Sequence, residues 1–325
     1  YNYLQLGVNL QGGDVLFKDK SRLVKASLLA PAILAFFALI FTLFTQFQYF
    51  ISYQAKLTSE VFNIAEIERT EGEITVMSSN VRCFSPSDTG KRSWFYRADL
   101  LLQNIREAAP DIIGFQEVTP IHYSYFQKKL VGYDSILTYR DDSLMSEACP
   151  VFYRADAFEL IDKNSFWLSE TPDVMSKSWG SSCHRICSYA ILKEKASGRE
   201  FIVFNTHLDH VSELARVNGI QVVLDHIAQF EGRPSILMGD FNAYENSDTY
   251  RMSIEHFADA RYIAAETTDI GTFHAYGQRT PIIIDYIFVT PNVFEVEKFD
   301  VIYKDYDGAY ASDHNQLVAK MRFAD

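Results

Sequence analysis

The chain has 325 residues, 48% of them hydrophobic and 22% charged, with a formal net charge of −12. That is enough apolar material to bury a sizeable core in one large domain or two ordinary ones. So acidic a chain lacks the basic footprint of a non-specific nucleic-acid binder, although a nuclease remains open because bound divalent cations reverse the local sign.

Residues 1–25 end in a basic cluster, Lys18, Lys20, Arg22 and Lys25, and no charged residue follows from Ala26 to Ala55. A helix needs about 20 apolar residues to cross a bilayer, so residues 26–53 are expected to form one transmembrane helix. Pro31 lies near its start, where a helix tolerates proline, and Phe47, Tyr49, Phe50 and Tyr53 fit an interfacial belt. A cleaved signal peptide would have a shorter apolar core, and a soluble core helix would need a polar face. Glu60, Glu66, Glu68, Glu71 and Glu73 follow the span, so lysine and arginine dominate only before it. The expected topology is single-pass, with residues 1–25 a cytoplasmic segment and the rest outside the cytoplasm. The first residue is Tyr1 rather than Met, as expected of a trimmed or partial chain.

Residues 54–72 are polar and acidic and read as a stalk. From residue 73 to residue 325, short β-rich runs alternate with helical ones, as expected of a single catalytic domain. Ile74–Val81 reads as a strand. Trp94–Ala108 has Leu101, Leu102 and Ile105 on one side of a helix, stopped by Pro110. A strand over Asp111–Val118, a helix over Ile121–Leu130 and strands over Tyr133–Thr138, Pro150–Arg154 and Phe158–Leu168 follow. Ser169–Arg185 reads as a loop, and Ile186–Lys193 with Glu200–Leu208 as a hairpin. Val211–Phe230 is the longest amphipathic helix, with Leu214, Val217, Val222 and Ile227 expected to face inward. The remaining strands are Ser235–Asp240, Ile282–Val289, Val296–Tyr303 and Gln316–Phe323. The pattern predicts an α+β fold, a four-layer α/β/β/α sandwich of two mixed sheets. Cys83, Cys149, Cys183 and Cys187 are too few and too irregular for a disulfide framework and read as buried free thiols, with one disulfide as the alternative.

Polar residues recur where the strands end. They are Ser79-Asn80, Gln116-Glu117, Asn205-Thr206-His207, Gly239-Asp240-Phe241-Asn242, Asp285 and Ser312-Asp313-His314. Residues two apart on a strand share a face, so Asp240 and Asn242 present a carboxylate and an amide together. Taken singly, Asn80 could be a turn residue, Glu117 a solvated charge at a helix start, His207 a core imidazole and Asp313-His314 a cap. Asp285, inside a dense apolar run, needs a partner to offset its desolvation. Six such coincidences at similar strand ends favour a site where several loops converge.

These strings, Ser79-Asn80-Val81-Arg82, Gln116-Glu117-Val118, Asn205-Thr206-His207-Leu208, Gly239-Asp240-Phe241-Asn242, Ile284-Asp285-Tyr286-Ile287 and Ser312-Asp313-His314, closely resemble the endonuclease/exonuclease/phosphatase (deoxyribonuclease-I-like) superfamily in order and spacing. The resemblance implies a metal-dependent hydrolase of phosphoester bonds. Glu117 would be the main Mg²⁺ carboxylate, with Asn80 and Asp313 nearby and Mn²⁺ as the alternative ion; hard cations of this type take oxygen ligands. Asp240 would orient or deprotonate the attacking water, and Asn242 would hold a phosphate oxygen. His207 and His314 would donate to the developing charge, and Asp285 would fix the tautomer of His314.

Arg82, Arg185 and Asp209 are further candidates for touching substrate, each with an ordinary surface or loop role as the alternative. Thr272-Phe273-His274 resembles a loop that borders the substrate in some branches. The expected activity is hydrolysis of a phosphoester, a diester slightly before a monoester, on a lipid head group, a small molecule or nucleic acid. The expected partners are that substrate and the membrane that holds the N-terminal helix. The alternatives are a deoxyribonuclease-like nuclease and a catalytically inactive surface binding module on the same fold.

Overall fold

The computed structural model describes residues 13–230 and 232–324, with side chains from Pro31 onward. Residues 1–12 of the expected cytoplasmic segment lie outside the described residues. The chain divides into two compact units, one up to Tyr49 and one from Phe50. Helix α1 (Gly13–Lys56) supplies the described part of the first and enters the second. Its segment Pro31–Lys56 is long and apolar enough to cross a membrane, and none of its apolar window is buried.

In the second unit β1 (Phe62–Asn63) and β2 (Glu73–Asn80) precede α2 (Trp94–Ala108), β3 (Ile112–Gln116) and α3 (Pro120–Lys129). Then come β4 (Leu130–Val131), β5 (Tyr133–Ile136), β6 (Val151–Arg154), β7 (Phe158–Trp167), β8 (Ile186–Glu194) and β9 (Glu200–His207). Helix α4 (Glu213–Ala228) leads to β10 (Ser235–Asp240), α5 (Asp248–His256), β11 (Ala258–Asp259), α6 (Ala260–Ile263) and β12 (Glu266–Thr267). The chain closes with β13 (Asp285–Val289), β14 (Phe294–Ile302) and β15 (Gln316–Phe323). One sheet has the order β12-β14-β15-β2-β3-β6-β5 and the other β11-β13-β10-β9-β8-β7.

The four-layer expectation holds because both faces of each sheet are buried, which the period-2 alternation of strand side chains dictates. Val76, Ile112, Val203 and Ile236 point between the sheets. Their neighbours Met77 and Ile113 point toward α2 and α3, joined by Phe115, Leu101, Ile105 and Phe126. Ile202, Phe204 and Leu237 point instead toward α4 and α5. Strands buried on both sides read as continuous apolar runs, which is why they were visible in the sequence. At Gly114 the sheets come so close that a Cβ would lie 2.8 Å from the Met238 sulfur.

Two expectations are corrected here. Residues 54–72 are not a free stalk: Phe62 and Ile64 are buried in the core, and β1 pairs in parallel with β4. Arg154 Nη2 also donates to the Ile67 carbonyl at 2.8 Å. Each buried Phe or Ile contributes about 1.5–3 kcal/mol, enough to dock a segment whose glutamates conceal its two anchors. In α4 the buried residues are Ala215, Gly219, Ile220, Val223 and Leu224, whereas Leu214 is exposed. All four cysteines are unpaired; Cys149 and Cys187 are buried, and Cys83 and Cys183 are half-buried.

Candidate active site

Strand register brings the polar motifs together at one end of both sheets. Asp240 is paired with His207 on β9 and with Asp285 on β13, so three motif residues lie side by side across three strands. Asn80 is paired with Gln116, which sets Glu117 one residue beyond the facing sheet. Glu117, Arg82 and Asn242 have φ of 63°, 58° and 48°. Holding a non-glycine residue in this left-handed region costs on the order of 1–3 kcal/mol, and three cases at the same strand ends mark where the fold bends the chain to aim side chains. Gly239, with φ 147°, lies against β9 so closely that a Cβ would sit 1.9 Å from the Thr206 carbonyl oxygen. Gly239→Ala is therefore expected to destabilise the fold by about 3 kcal/mol or more. An unchanged unfolding midpoint in a circular-dichroism melt would contradict this.

The centre of the cluster is Asp240. Its Oδ2 accepts from Asn80 Nδ2 at 2.9 Å and lies 3.5 Å from His207 Nε2 and 3.7 Å from His314 Nε2. Oδ1 accepts from the Asn242 N–H at 2.9 Å. Burial, reinforced by the neighbouring Asp285 carboxylate, pushes Asp240 up to about 7. Burial pushes the His314 imidazole down, but Asp285 and Asp240 outweigh it and carry His314 up to about 10. His314 Nδ1 is 2.9 Å from Asp285 Oδ2, so the ring is an imidazolium held between two carboxylates. Burial also opposes ionisation of Glu117, yet His207, the Cys83 N–H and the Asn80 amide hold its carboxyl well below the usual range. The Cys83 N–H donates to Glu117 Oε2 at 2.6 Å and Asn80 Nδ2 to Oε1 at 3.0 Å. Burial and Arg185 drive His207 well below its ordinary value, against the pull of Glu117.

Ligating atoms of Glu117, His207 and Asp240 lie within 4.8 Å of one another, as do those of Asp240, Asp285 and His314. The first group, with an ionised Glu117 and a second carboxylate, fits one hard divalent cation. Asp313 belongs to neither group: its carboxylate is 3.9 Å from Arg82 Nε, which also donates to Asp88 at 3.1 Å. Asn80 turns its Oδ1 to the Arg82 N–H at 2.9 Å. Asn242 Nδ2 meets His207 Nε2 at 3.0 Å and the Leu208 carbonyl at 3.1 Å.

Asp209, expected at the substrate, is occupied within the protein. Its oxygens accept from the backbone N–H groups of Ser182, Val211 and Ser212 and from the hydroxyls of Ser181 and Ser182. It ties the 169–184 loop to the end of β9. Arg185 is buried beside it; Nη2 meets His210 Nδ1 at 3.0 Å, while Nε has no hydrogen-bond partner and is 3.8 Å from Asp209. Arg185 lines a recess of about 10 Å³ with Glu117, His207, Arg140 and Glu147. Arg140 forms two bonds of 2.7 Å to Glu147, and its Nε is also unsatisfied. A buried donor without an acceptor costs about 1–3 kcal/mol, so these guanidinium groups suit an anionic oxygen.

Sequence reasoning missed Arg140 and Glu147, which lie in a loop without a recognisable motif. Other motif residues turn out to hold the sheets together. Asn205 Nδ2 donates to the carbonyls of Phe115 and Pro150, and its Oδ1 accepts from Gln116 Nε2 at 2.7 Å. Thr272 Oγ1 accepts from the backbone of Ile284 and Asp285, and the Phe273 ring lies 4.8 Å from that of His314.

Residues 77–314 match the model of the Endonuclease/Exonuclease/phosphatase family. A solved endonuclease/exonuclease/phosphatase protein from Bacteroides vulgatus is 34% identical, with a TM-score of 0.74 over 79% of this chain and 100% of that one. A mannosyl-6-phosphatase from Bacteroides thetaiotaomicron is 33% identical, with a TM-score of 0.70 over 78% of this chain and 100% of that one. Nocturnin from Drosophila melanogaster is 26% identical over 247 residues, 63% of this chain but only 37% of that protein. The matched region runs from β2 to the His314 turn and takes in every strand end that carries the site, and the chain belongs to the endonuclease/exonuclease/phosphatase family.

Proposed function

We propose that the protein hydrolyses a phosphomonoester by in-line attack of water, with a divalent cation, Mg²⁺ or Mn²⁺, held at Glu117 beside Asn80. Bound there, the cation would supply Lewis-acid stabilisation of charge on phosphate oxygens. Asp240, titrating near neutrality, suits a general base that orients a water and takes its proton as the new P–O bond forms and the ester P–O bond breaks. The His314 imidazolium would donate to a phosphate oxygen whose charge grows in the transition state. Arg185 and Arg140 would receive another oxygen in their recess.

The carrying observation is the pair of arginines, Arg185 and Arg140, each with a buried Nε that lacks a hydrogen-bond partner, lining the recess shared with Glu117 and His207. The resemblance read from the sequence left a diester slightly ahead. The resemblance to a mannosyl-6-phosphatase at 33% identity moves the proposal to a monoester. The apolar segment Pro31–Lys56 supports a single membrane anchor, and the basic residues Lys18, Lys20, Arg22 and Lys25 before it support a cytoplasmic N-terminus with the hydrolase outside.

The test is a panel of p-nitrophenyl phosphate, bis-p-nitrophenyl phosphate, mannose 6-phosphate and single-stranded RNA with Mg²⁺, repeated after chelation and with Glu117→Ala. Turnover of the monoesters, lost on chelation and in the variant, is expected. Preference for the diester would reverse the monoester reading, and preference for RNA would favour the nuclease. Inertness toward the whole panel would favour the binding module.

A further inference from the structure

Loops at the catalytic end of the domain carry exposed apolar side chains. Leu144 and Met145 are 93% and 40% exposed in the 141–146 loop, whose flanking residues Arg140 and Glu147 line the recess. Val174 and Met175, 56% and 42% exposed, lie in the loop that ends at Arg185. Val211, 65% exposed, lies two residues beyond Asp209. One exposed apolar residue is ordinary, but several loops presenting them around one mouth mark an interaction surface.

The chain's point of entry indicates what that surface meets. Arg97, in the first turn of α2, donates to the carbonyls of Val81 and Arg82, so α2 begins at the catalytic end. The Phe50 ring is 5.2 Å from that of Phe95 on the same turn, and Phe95 is 5.7 Å from Phe84, in the loop after Asn80. From there the chain runs away from the site, with Lys56 at Asp99 and Arg106 bonded to the Glu60 carbonyl. The second unit thus begins, at Phe50, at the end that carries the recess and the apolar loops, and the apolar segment Pro31–Lys56 includes and directly precedes that residue in the sequence.

We propose that this end of the domain seats on a lipid bilayer through Leu144, Met145, Val174, Met175 and Val211, and that the phosphate it hydrolyses is carried by a membrane lipid. The substrate half of this rests on the hydrolase reading; the docking half does not.

The experiment uses the full chain reconstituted in phosphatidylcholine vesicles containing phosphatidic acid. In Leu144→Trp, fluorescence is expected to be lost to lipids brominated near the head-group end of the acyl chain, beyond the loss shown by the native Trp94, Trp167 and Trp179. The combined variant Leu144→Ser, Met145→Ser, Val174→Ser, Val211→Ser is expected to release phosphate from vesicle-borne phosphatidic acid about tenfold more slowly. Its turnover of soluble p-nitrophenyl phosphate should match the native chain. Absence of the extra quenching, or equal rates of the native and variant chains on vesicles, overturns the docking, and a native chain that turns over p-nitrophenyl phosphate but releases no phosphate from phosphatidic acid overturns the lipid substrate. A native chain that turns over neither substrate sinks the hydrolase reading, and the quenching then still decides the docking.

Discussion

Replacing Asp240 by Asn is expected to lower kcat by about 10²–10⁴-fold, the range ascribed to a general base, while the protein stays folded. The amide has nearly the volume of the carboxylate and can still accept the Asn242 N–H, so the backbone turn after β10 survives. What disappears is the buried negative charge between Asn80, His207 and His314. With Asp240 pushed up to about 7, the native rate should rise with pH as this proton is lost. A cation at Glu117 would draw that limb to lower pH, because positive charge favours the carboxylate. Steady-state kinetics on p-nitrophenyl phosphate with a melting curve would measure both points. An Asp240→Asn variant within tenfold of the native kcat would remove Asp240 from the attack step.

Asp285→Asn is expected to move the alkaline limb of the pH–rate profile downward. Burial alone would push His314 below its ordinary value, and the neighbouring carboxylates, Asp285 first, carry it up to about 10. Removing the Asp285 charge lowers the His314 pKa by about 1–3 units, the usual effect of a close opposite charge. The native donor stays protonated into the alkaline range, so the variant should lose activity at lower pH than the native enzyme. With the pKa lowered to about 7–9, loss of the proton at pH 8 should cost up to about tenfold in kcat, whereas the native enzyme should lose almost nothing there. A kcat profile against pH for both proteins tests this. An unshifted alkaline limb would mean that His314 does not act as the proton-bearing donor.

Much of the fold was legible because its strands are buried on both faces and its main helices carry long apolar stripes. Trp94–Ala108 and Gln316–Phe323 stand where the sequence placed them. Helix α5 was not legible, since its buried residues include Thr249 and Ser253, which give no apolar period. Ile282–Ile284 reads as strand by composition, yet β13 begins only at Asp285. Thr272 takes the backbone N–H groups of Ile284 and Asp285 there. The inward face of α4 was misplaced because it includes Gly219 and Ala215, whose small or absent side chains give no apolar signal although both are buried.

The sequence by itself determined the family, the mixed sandwich and the chemical identity of the strand-end groups, because local order and residue type are enough for those. Only the tertiary structure decided which partners each polar residue meets. Strand register placed Asp240 between His207 and Asp285, and facing sheets brought Asn80 and Glu117 to it from the other half of the sandwich. The same packing uses Asn205 to hold the sheets and Asp209 to hold a loop. It also brought Arg140 to the recess from a loop that carried no motif. These assignments depend on contacts between residues 27 to 160 positions apart, and no local pattern encodes a distance of that kind.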